Sequence, residues 1–158
     1  MTALKLLGCL LVLSSGAAGA LGAVRYERAR LAVLEGWIDL IFYIRTQIDC
    51  YLTPLGEILA GADRELLRAC GGSRETVGLD ALLHASRGCL CGEAARLLTG
   101  FVREIGGSYR EEQVRRCDYY LTALRAVREQ QKEELPARVR VCVAVCLCAA
   151  LGIAILLW

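Results

Sequence analysis

Cys89, Cys91 and His84 are the residues of this sequence whose types and spacing come nearest to a chemical site. Thiolate sulfur and imidazole nitrogen bind zinc, and a reactive thiolate is also a nucleophile or a redox group. The pattern is weak, because zinc sites pair their ligands at short recurring spacings and none of the nine cysteines forms a Cys-x-x-Cys pair. A metal-binding or redox protein is therefore kept as an alternative hypothesis that rests on these three residues.

No other catalytic arrangement can be assembled from the sequence. His84 is the only histidine, so no nucleophile, base and orienting acid can be assigned around it. The sequence also lacks the Gly-x-x-x-x-Gly-Lys-Ser/Thr pattern of a phosphate-binding loop. The doublets Gly71-Gly72 and Gly106-Gly107 predict loops between helices. The sequence predicts a protein that is not an enzyme, with no cofactor and no metal, whose cysteines are reduced thiols acting as small apolar side chains.

Charge is distributed unevenly along the 158 residues. Hydrophobic residues make up 56% of the chain, and all 17 acidic residues lie between Glu27 and Glu134. The formal net charge of +2 is too small to indicate a nucleic-acid partner. The two ends are therefore apolar, and the middle has the composition of a soluble domain.

Each apolar end is long enough for a membrane helix. Residues 6–24 and residues 141–158 carry no charge, and a bilayer core of about 30 Å needs roughly 20 helical residues. For the first stretch a retained helix is preferred, and a cleaved signal peptide remains an alternative, with Lys5 as its basic start. A lipoprotein signal at Cys9 fits poorly, because almost no hydrophobic stretch precedes that residue. Both ends together predict contact with membrane lipid.

Basic residues flank both apolar stretches on the side of the middle domain. Arg25 and Arg28 follow the first stretch, while Arg138 and Arg140 precede the second. The positive-inside rule then places the middle domain in the cytoplasm and both termini outside. The predicted organisation is an N-terminal transmembrane helix (residues 1–25), a cytoplasmic helical bundle (residues 26–137) and a C-terminal transmembrane helix (residues 138–158).

The middle region favours helix over strand, because it is rich in Leu, Ala, Arg and Glu and lacks strand-like alternation. Apolar residues at spacings of three, four and seven predict a first helix over residues 26–51, with Phe42 widening its buried stripe. Further helices are predicted over residues 54–70, 77–86, 90–105 and 109–135. The predicted fold class is all-α, an antiparallel helical bundle flanked by two membrane helices.

Two short motifs set helix boundaries. In Thr53-Pro54-Leu55, Thr53 is a predicted N-cap and Pro54 a first helical residue, because proline cannot continue the preceding helix. Ser108 and Glu111 form the Ser-x-x-Glu pattern of a capping box and predict the start of the longest helix. That helix is expected to be kinked or broken near Pro136.

Four short motifs follow one another along the chain, from the first apolar stretch to the predicted longest helix. They are Leu4-Lys5-Leu6-Leu7-Gly8, Tyr26-Glu27-Arg28, Tyr51-Leu52-Thr53-Pro54-Leu55, and Ile105-Gly106-Gly107-Ser108 followed by Gln113. In this order the chain resembles the stage III sporulation protein AB family of endospore-forming bacteria. It departs from the family at Tyr109, where an acidic residue is common, and over residues 134–139, where Lys and Asn are usual.

The resemblance implies a sporulation role. Members of the family belong to a secretion-like channel between mother cell and forespore, and their helical domain is similar to cytoplasmic domains of type II secretion and type IV pilus platform proteins. By that resemblance the partner is a secretion-type ATPase of the same operon, the stage III sporulation protein AA, together with other membrane components of the channel. The exposed charges Arg115, Arg116 and Arg125 are the residues expected first at that contact.

The function is therefore expected to be a non-enzymatic membrane platform on the mother-cell side of the outer forespore membrane. A generic helical membrane adaptor is a further alternative. The sequence also leaves open whether the bundle closes alone or as a homo-oligomer, by pairing with a second copy.

Overall fold

A computed structural model of the chain describes residues 2–51, 54–72, 78–107 and 109–157; side chains are described from Ser14 to Ala149, apart from those gaps, and at residues 152 and 153. The elements are α1 (Thr2–Tyr51), α2 (Leu55–Gly61), α3 (Arg64–Ala69), α4 (Leu79–Ser86), α5 (Gly92–Glu104) and α6 (Arg110–Leu157). The described residues contain no strand, so the all-α prediction is confirmed.

The chain forms two compact units. One unit is Met1–Arg28 with Lys132–Trp158, and the other, here called the central unit, is Ala29–Gln131. In the first unit a Cβ placed on Gly19 would lie 4.0 Å from Cys146 Sγ, so small residues of α1 lie close to α6 there.

Apolar side chains remain exposed in the first unit, among them Leu21, Val141 and Val145. Within the part of the chain that was searched, no helix holds an apolar stretch long enough to cross a membrane. The side chains of residues 6–13 and 154–158, which belong to the two uncharged stretches, lie outside the described residues.

The core of the central unit is built around α1. Leu34, Ile38, Ile41 and Ile48 are buried, as the apolar spacing predicts. Phe42 was expected in the same stripe but is 53% exposed. Consecutive helical residues point about 100° apart, so Phe42 is turned away from the face that Ile41 buries.

One buried hydrogen bond joins α1 to α4. Trp37 is fully buried and its Nε1 donates to Ser86 Oγ at 3.1 Å, while the Ser86 hydroxyl donates to the Leu83 carbonyl at 3.2 Å. Both polar groups are satisfied inside the apolar core, as buried polar groups require.

α1 and α3 approach each other very closely. A Cβ on Gly36 would lie 2.6 Å from the carbonyl carbon of Ala69 and 2.9 Å from the amide nitrogen of Cys70. Those are backbone atoms at the end of α3, which cannot rotate away as a side chain can. Glycine at position 36 therefore permits this packing.

Contacts at the two ends of the central unit establish an antiparallel order. Arg110 of α6 contacts Asp49 of α1, while Asp118, further along α6, contacts Arg45, earlier in α1. α5 also runs against α6, because Cys91 contacts Gln131 and the Glu104 carbonyl contacts Arg116. The predicted antiparallel packing thus holds for α1, α5 and α6 in this unit.

The helix predicted over residues 54–70 is two helices. α2 ends at Gly61, Ala62 is extended, and the Asp63 side chain accepts from the Glu65 amide at 3.1 Å as the N-cap of α3. Glycine is a poor helix former, and aspartate satisfies a free amide at a helix start, so both residues favour a break here. The prediction of one helix was wrong at this point.

Of the kink or break expected at Pro136, the break is not found, and the kink stays a prediction. α6 continues as helix from Arg110 to Leu157 with Pro136 inside it. Proline removes one amide donor, yet a helix can continue past that single missing bond.

Candidate functional site

The exposed face of α6 carries most of the residues predicted to contact a partner. Arg115, Asp118, Thr122, Arg125 and Glu129 are all exposed and recur at helical spacing, and they are called the α6 stripe below. The Arg115 side chain is 79% exposed, so its guanidinium is open to solvent even though it pairs with Glu112. Arg115 and Arg125 thus lie on one face, where a single partner could reach both.

Arg116 has a different role from its neighbour Arg115. Its Nη1 donates to the Glu104 carbonyl at 2.8 Å, and its Nε donates to Glu112 Oε1 at 3.1 Å. Glu104 is the last residue of α5, so the guanidinium satisfies a carbonyl left free at that helix end. Arg116 braces α5 against α6 and presents less surface to a partner than Arg115 or Arg125.

The carboxylate of Glu112 is held in its charged form by these arginines. Its pKa lies below the usual value, first because it accepts a hydrogen bond from Arg116 and also because Arg115 is close by. Glu112 thus links the two neighbouring arginines, and its negative charge offsets part of theirs.

A charged network of Arg45, Asp49, Arg110 and Asp118, here the Arg45 network, borders the stripe. Arg45 Nε donates to Asp118 Oδ1 at 2.6 Å and its Nη2 donates to Asp118 Oδ2 at 3.3 Å, an aligned two-bond pair. Arg110 Nη2 lies 2.8 Å from Asp49 Oδ1. The hydrogen bond that Arg45 donates to Asp118 is the main cause that raises the pKa of Arg45. Because the network is exposed, it fixes the register of α1 and α6 more than it adds stability.

An open cleft lies beside this network. Asp49, Arg110, Glu111, Val114, Arg115 and Asp118 line it. It contains Glu111, the predicted capping residue, and Arg115, a predicted contact residue, so the start of α6 brings two sequence predictions to one place.

The Thr53-Pro54-Leu55 motif contacts the glycine doublet Gly106-Gly107 through Leu55 and Gly106. Leu55 is half-buried against the core, and a Cβ on Gly106 would lie 3.4 Å from its Cδ2. Gly106 has a φ of +99°, a backbone conformation that glycine adopts without strain. The turn after α5 is thereby packed against the start of α2.

The motif residues themselves are placed in part. Pro54 is the N-cap of α2 and its carbonyl accepts from the Ile58 amide at 3.1 Å, so α2 begins one residue later than predicted. Thr53 and Ser108 lie outside the described residues, so their capping roles stay predictions. α6 begins at Arg110, and the Tyr109 carbonyl accepts from the Gln113 amide at 3.0 Å.

Of Cys89, Cys91 and His84, the Cys91 side chain has a local structural role. Cys91 Sγ is the N-cap acceptor of α5, at 3.3 Å from the Ala94 amide, and it also accepts from Gln131 Nε2 at 2.8 Å. His84 is exposed in the last turn of α4. Across the residues the structure describes, no three His, Cys, Asp or Glu side chains are grouped to hold a metal ion, so the metal alternative finds no support in this geometry.

Two other cysteines are part of the core. Cys70 and Cys117 are fully buried, and burial raises the pKa of the Cys70 thiol to about 12 and that of Cys117 to about 11. Both stay protonated near neutral pH, which agrees with the expectation of small apolar side chains. Cys50, by contrast, is exposed.

The geometry was not readable from sequence at several points. Arg45 and Asp118 are separated by more than 70 positions, and Leu55 and Gly106 by about 50, so nothing local in the sequence pairs them. The helical period is a signal that could have grouped Arg115, Asp118 and Arg125 on one face of α6, although the prediction of a contact there did not use it.

Comparison with known protein families gives a match. The model of a family described as stage III sporulation protein AB matches residues 80–158, a range that begins inside α4 and continues through α5 and α6. No curated protein and no solved structure matches the chain.

Proposed function

Since this chain belongs to the stage III sporulation protein AB family and so has a role in sporulation, we propose that it is a non-enzymatic membrane platform of the sporulation channel. The observation that carries the proposal is the family match over the half of the chain that contains α5 and α6. Those helices form a packed scaffold with a charged outer face, which suits a protein that binds and positions other proteins.

The proposed partner is the secretion-type ATPase of the same operon, the stage III sporulation protein AA. The α6 stripe supports this choice, because Arg115 and Arg125 are exposed on one face and held on a helix that the Arg45 network ties to α1. Arginine is favoured at protein interfaces for its planar, multidentate hydrogen bonding. Acidic side chains on the ATPase are the chemistry that this face would recognise.

We further propose that the chain is anchored in the outer forespore membrane by two helices, with the central unit on the mother-cell side. The support is the absence of charge over residues 6–24 and 141–158 and the basic residues on their inner flanks.

Reporter fusions test this topology. A reporter enzyme that functions only outside the cytoplasm should be active when it is fused to either terminus, and one that functions only in the cytoplasm should be inactive there. A cytoplasmic signal from a terminal fusion would contradict this topology.

The role in sporulation is tested by a clean deletion of the gene. The expected result is arrest of spore formation after engulfment, with restoration by the full-length chain. The paired variant Cys89→Ser/Cys91→Ser should restore sporulation as well, because the platform needs no reactive thiol. Normal sporulation in the deletion strain would refute the platform, and failure of the paired variant to restore it would favour the redox alternative.

A further inference from the structure

Phe42 is a bulky aromatic side chain that the central unit leaves half exposed. It is 53% exposed on α1, and Asp39, three residues before it, is exposed too. Residues three apart share a helix face, so α1 presents an aromatic ring with a carboxylate one turn away.

A groove of matching character lies between α5 and α6. It is lined by Glu93, Arg96, Leu97, Gly100, Tyr119 and Tyr120, and is called the Gly100 groove. It is an open groove with a volume of about 330 Å³, in which a side chain of a partner can lie. Tyr119 forms an exposed wall, and its ring lies edge-on to Tyr120 with centroids 5.2 Å apart.

The Gly100 groove and Phe42 lie on opposite flanks of α6. Asp118 contacts α1 through Arg45, whereas Tyr120 contacts α5 through Phe101, with ring centroids 5.5 Å apart. Two residues along a helix correspond to a rotation of about 200°, which agrees with these opposite contacts. Phe42 therefore cannot enter the groove of its own central unit.

We propose that Phe42 of one copy inserts into the Gly100 groove of a second copy, with Asp39 facing Arg96. Asp39 and Phe42, and likewise Arg96 and Gly100, are separated by about one helical turn of 5.4 Å, so the two pairs can meet at once. Aromatic and arginine side chains are the residues most enriched at the centres of protein interfaces.

A second copy is the occupant that charge complementarity supports. The Arg96 side chain is exposed, and its Nε donates to the Gly92 carbonyl of its own helix at 3.4 Å. The terminal nitrogens of this exposed guanidinium can donate to a carboxylate. Asp39 of the other copy provides that carboxylate, one helical turn from the Phe42 ring that enters the groove. Because Phe42 and the Gly100 groove lie on opposite flanks of α6, two copies do not make this contact reciprocally, so it is head-to-tail and builds a ring or a filament. It does not depend on binding of the ATPase.

The test replaces Phe42 by a photo-crosslinking amino acid, benzoylphenylalanine, in the full-length chain expressed in membranes. Irradiation should give a covalent pair of copies, with the linked peptide mapped by mass spectrometry to residues 96–120. Charge reversal by Asp39→Lys or by Arg96→Glu should lower the yield by at least about tenfold, because like charges would face each other. Combining both reversals should restore it.

Asp80→Lys and Arg87→Glu are matched controls, because both residues are exposed, at the first turn and the C-cap of α4, and neither lines the Gly100 groove. They should leave the yield unchanged, and circular dichroism should show the same helix content in every variant. The proposal is overturned if no pair of copies forms, if the linked peptide lies elsewhere, if Phe42 links to another protein instead, or if the double reversal fails to restore the yield.

Discussion

At the scale of single residues, the central unit depends on a few polar contacts inside an apolar core. The Ser86 hydroxyl stands between the Trp37 indole and the Leu83 carbonyl, so two helices share one small polar group. Cys91 similarly combines an N-cap role in α5 with a contact from Gln131. Cys91, a candidate metal ligand by its sequence, and Ser86 thus each connect two helices through a hydrogen bond.

Replacing Ser86 by alanine tests this connector role. The buried Trp37 Nε1–H would lose its acceptor, and an unsatisfied buried donor costs about 1–3 kcal/mol of unfolding free energy. Denaturant unfolding of the full-length chain measures the change. Thr99→Ala is the control, because the Thr99 hydroxyl is exposed and bonds only to its own helix at the Ala95 carbonyl. An equal effect of both variants would contradict the account.

The buried thiols predict loss of stability in alkali. Burial raises the pKa of Cys70 to about 12 and of Cys117 to about 11, so an unfolded thiol ionises before a folded one. Their contribution is therefore complete below the ordinary thiol pKa of about 8.5 and declines as pH rises toward 11. Under reducing conditions, Cys117→Ala should make the fall in unfolding free energy between about pH 8 and pH 10 shallower. Cys50→Ala, at an exposed position, should leave that fall unchanged, and identical slopes for all three proteins would refute the assignment.

At the scale of elements, helix packing is set by residues that lack a side chain as much as by apolar ones. Gly36 lets α1 lie against the backbone at the end of α3. Gly106 lets the turn after α5 pass under Leu55. Neither glycine was recognisable as a packing residue from the sequence, because its role is defined by an element that is distant along the chain.

Gly36→Ala tests the approach of α1 to α3. The new methyl group would meet backbone atoms of Ala69 and Cys70 at under 3.0 Å, and overpacking of this kind costs roughly 1–3 kcal/mol. The measured quantity is the midpoint of denaturant unfolding. Gly92→Ala is the matched control, since a Cβ at that helical position meets nothing within 4 Å. If Gly36→Ala were as stable as the control, the close approach would be wrong.

Helical period predicted the elements well where one face is buried and poorly where local chemistry interrupts it. The stripe through Leu34, Ile38 and Ile41 followed from spacing alone. The break between α2 and α3 did not, because the effects of Gly61 and Asp63 on helix boundaries compete with an apolar pattern that continues through them. The prediction that Phe42 is buried was wrong for a related reason. It rested on the hydrophobicity of the side chain, whereas the position of Phe42 on α1 points outward.

At the scale of the whole molecule, the site could be predicted only in outline. The sequence singled out Arg115, Arg116 and Arg125 as exposed charges. The structure adds that Arg115 and Arg125 share one face and that Arg116 is engaged in bracing α5. The Arg45 network and the Gly100 groove arise from tertiary contacts between distant segments, which no local pattern encodes. The family match, in turn, adds a sporulation role and leaves the partner surface to physical reasoning.

The most direct test of the platform hypothesis is photo-crosslinking from the α6 stripe in sporulating cells. Benzoylphenylalanine at position 125, in the full-length chain, should capture the secretion-type ATPase of the same operon. Benzoylphenylalanine at position 87, the exposed C-cap of α4, serves as the control and should not capture the ATPase. The platform hypothesis predicts an ATPase adduct from position 125 that is lost when Arg115→Glu is added. Absence of the ATPase from the adducts of a stable, membrane-bound chain would contradict the account.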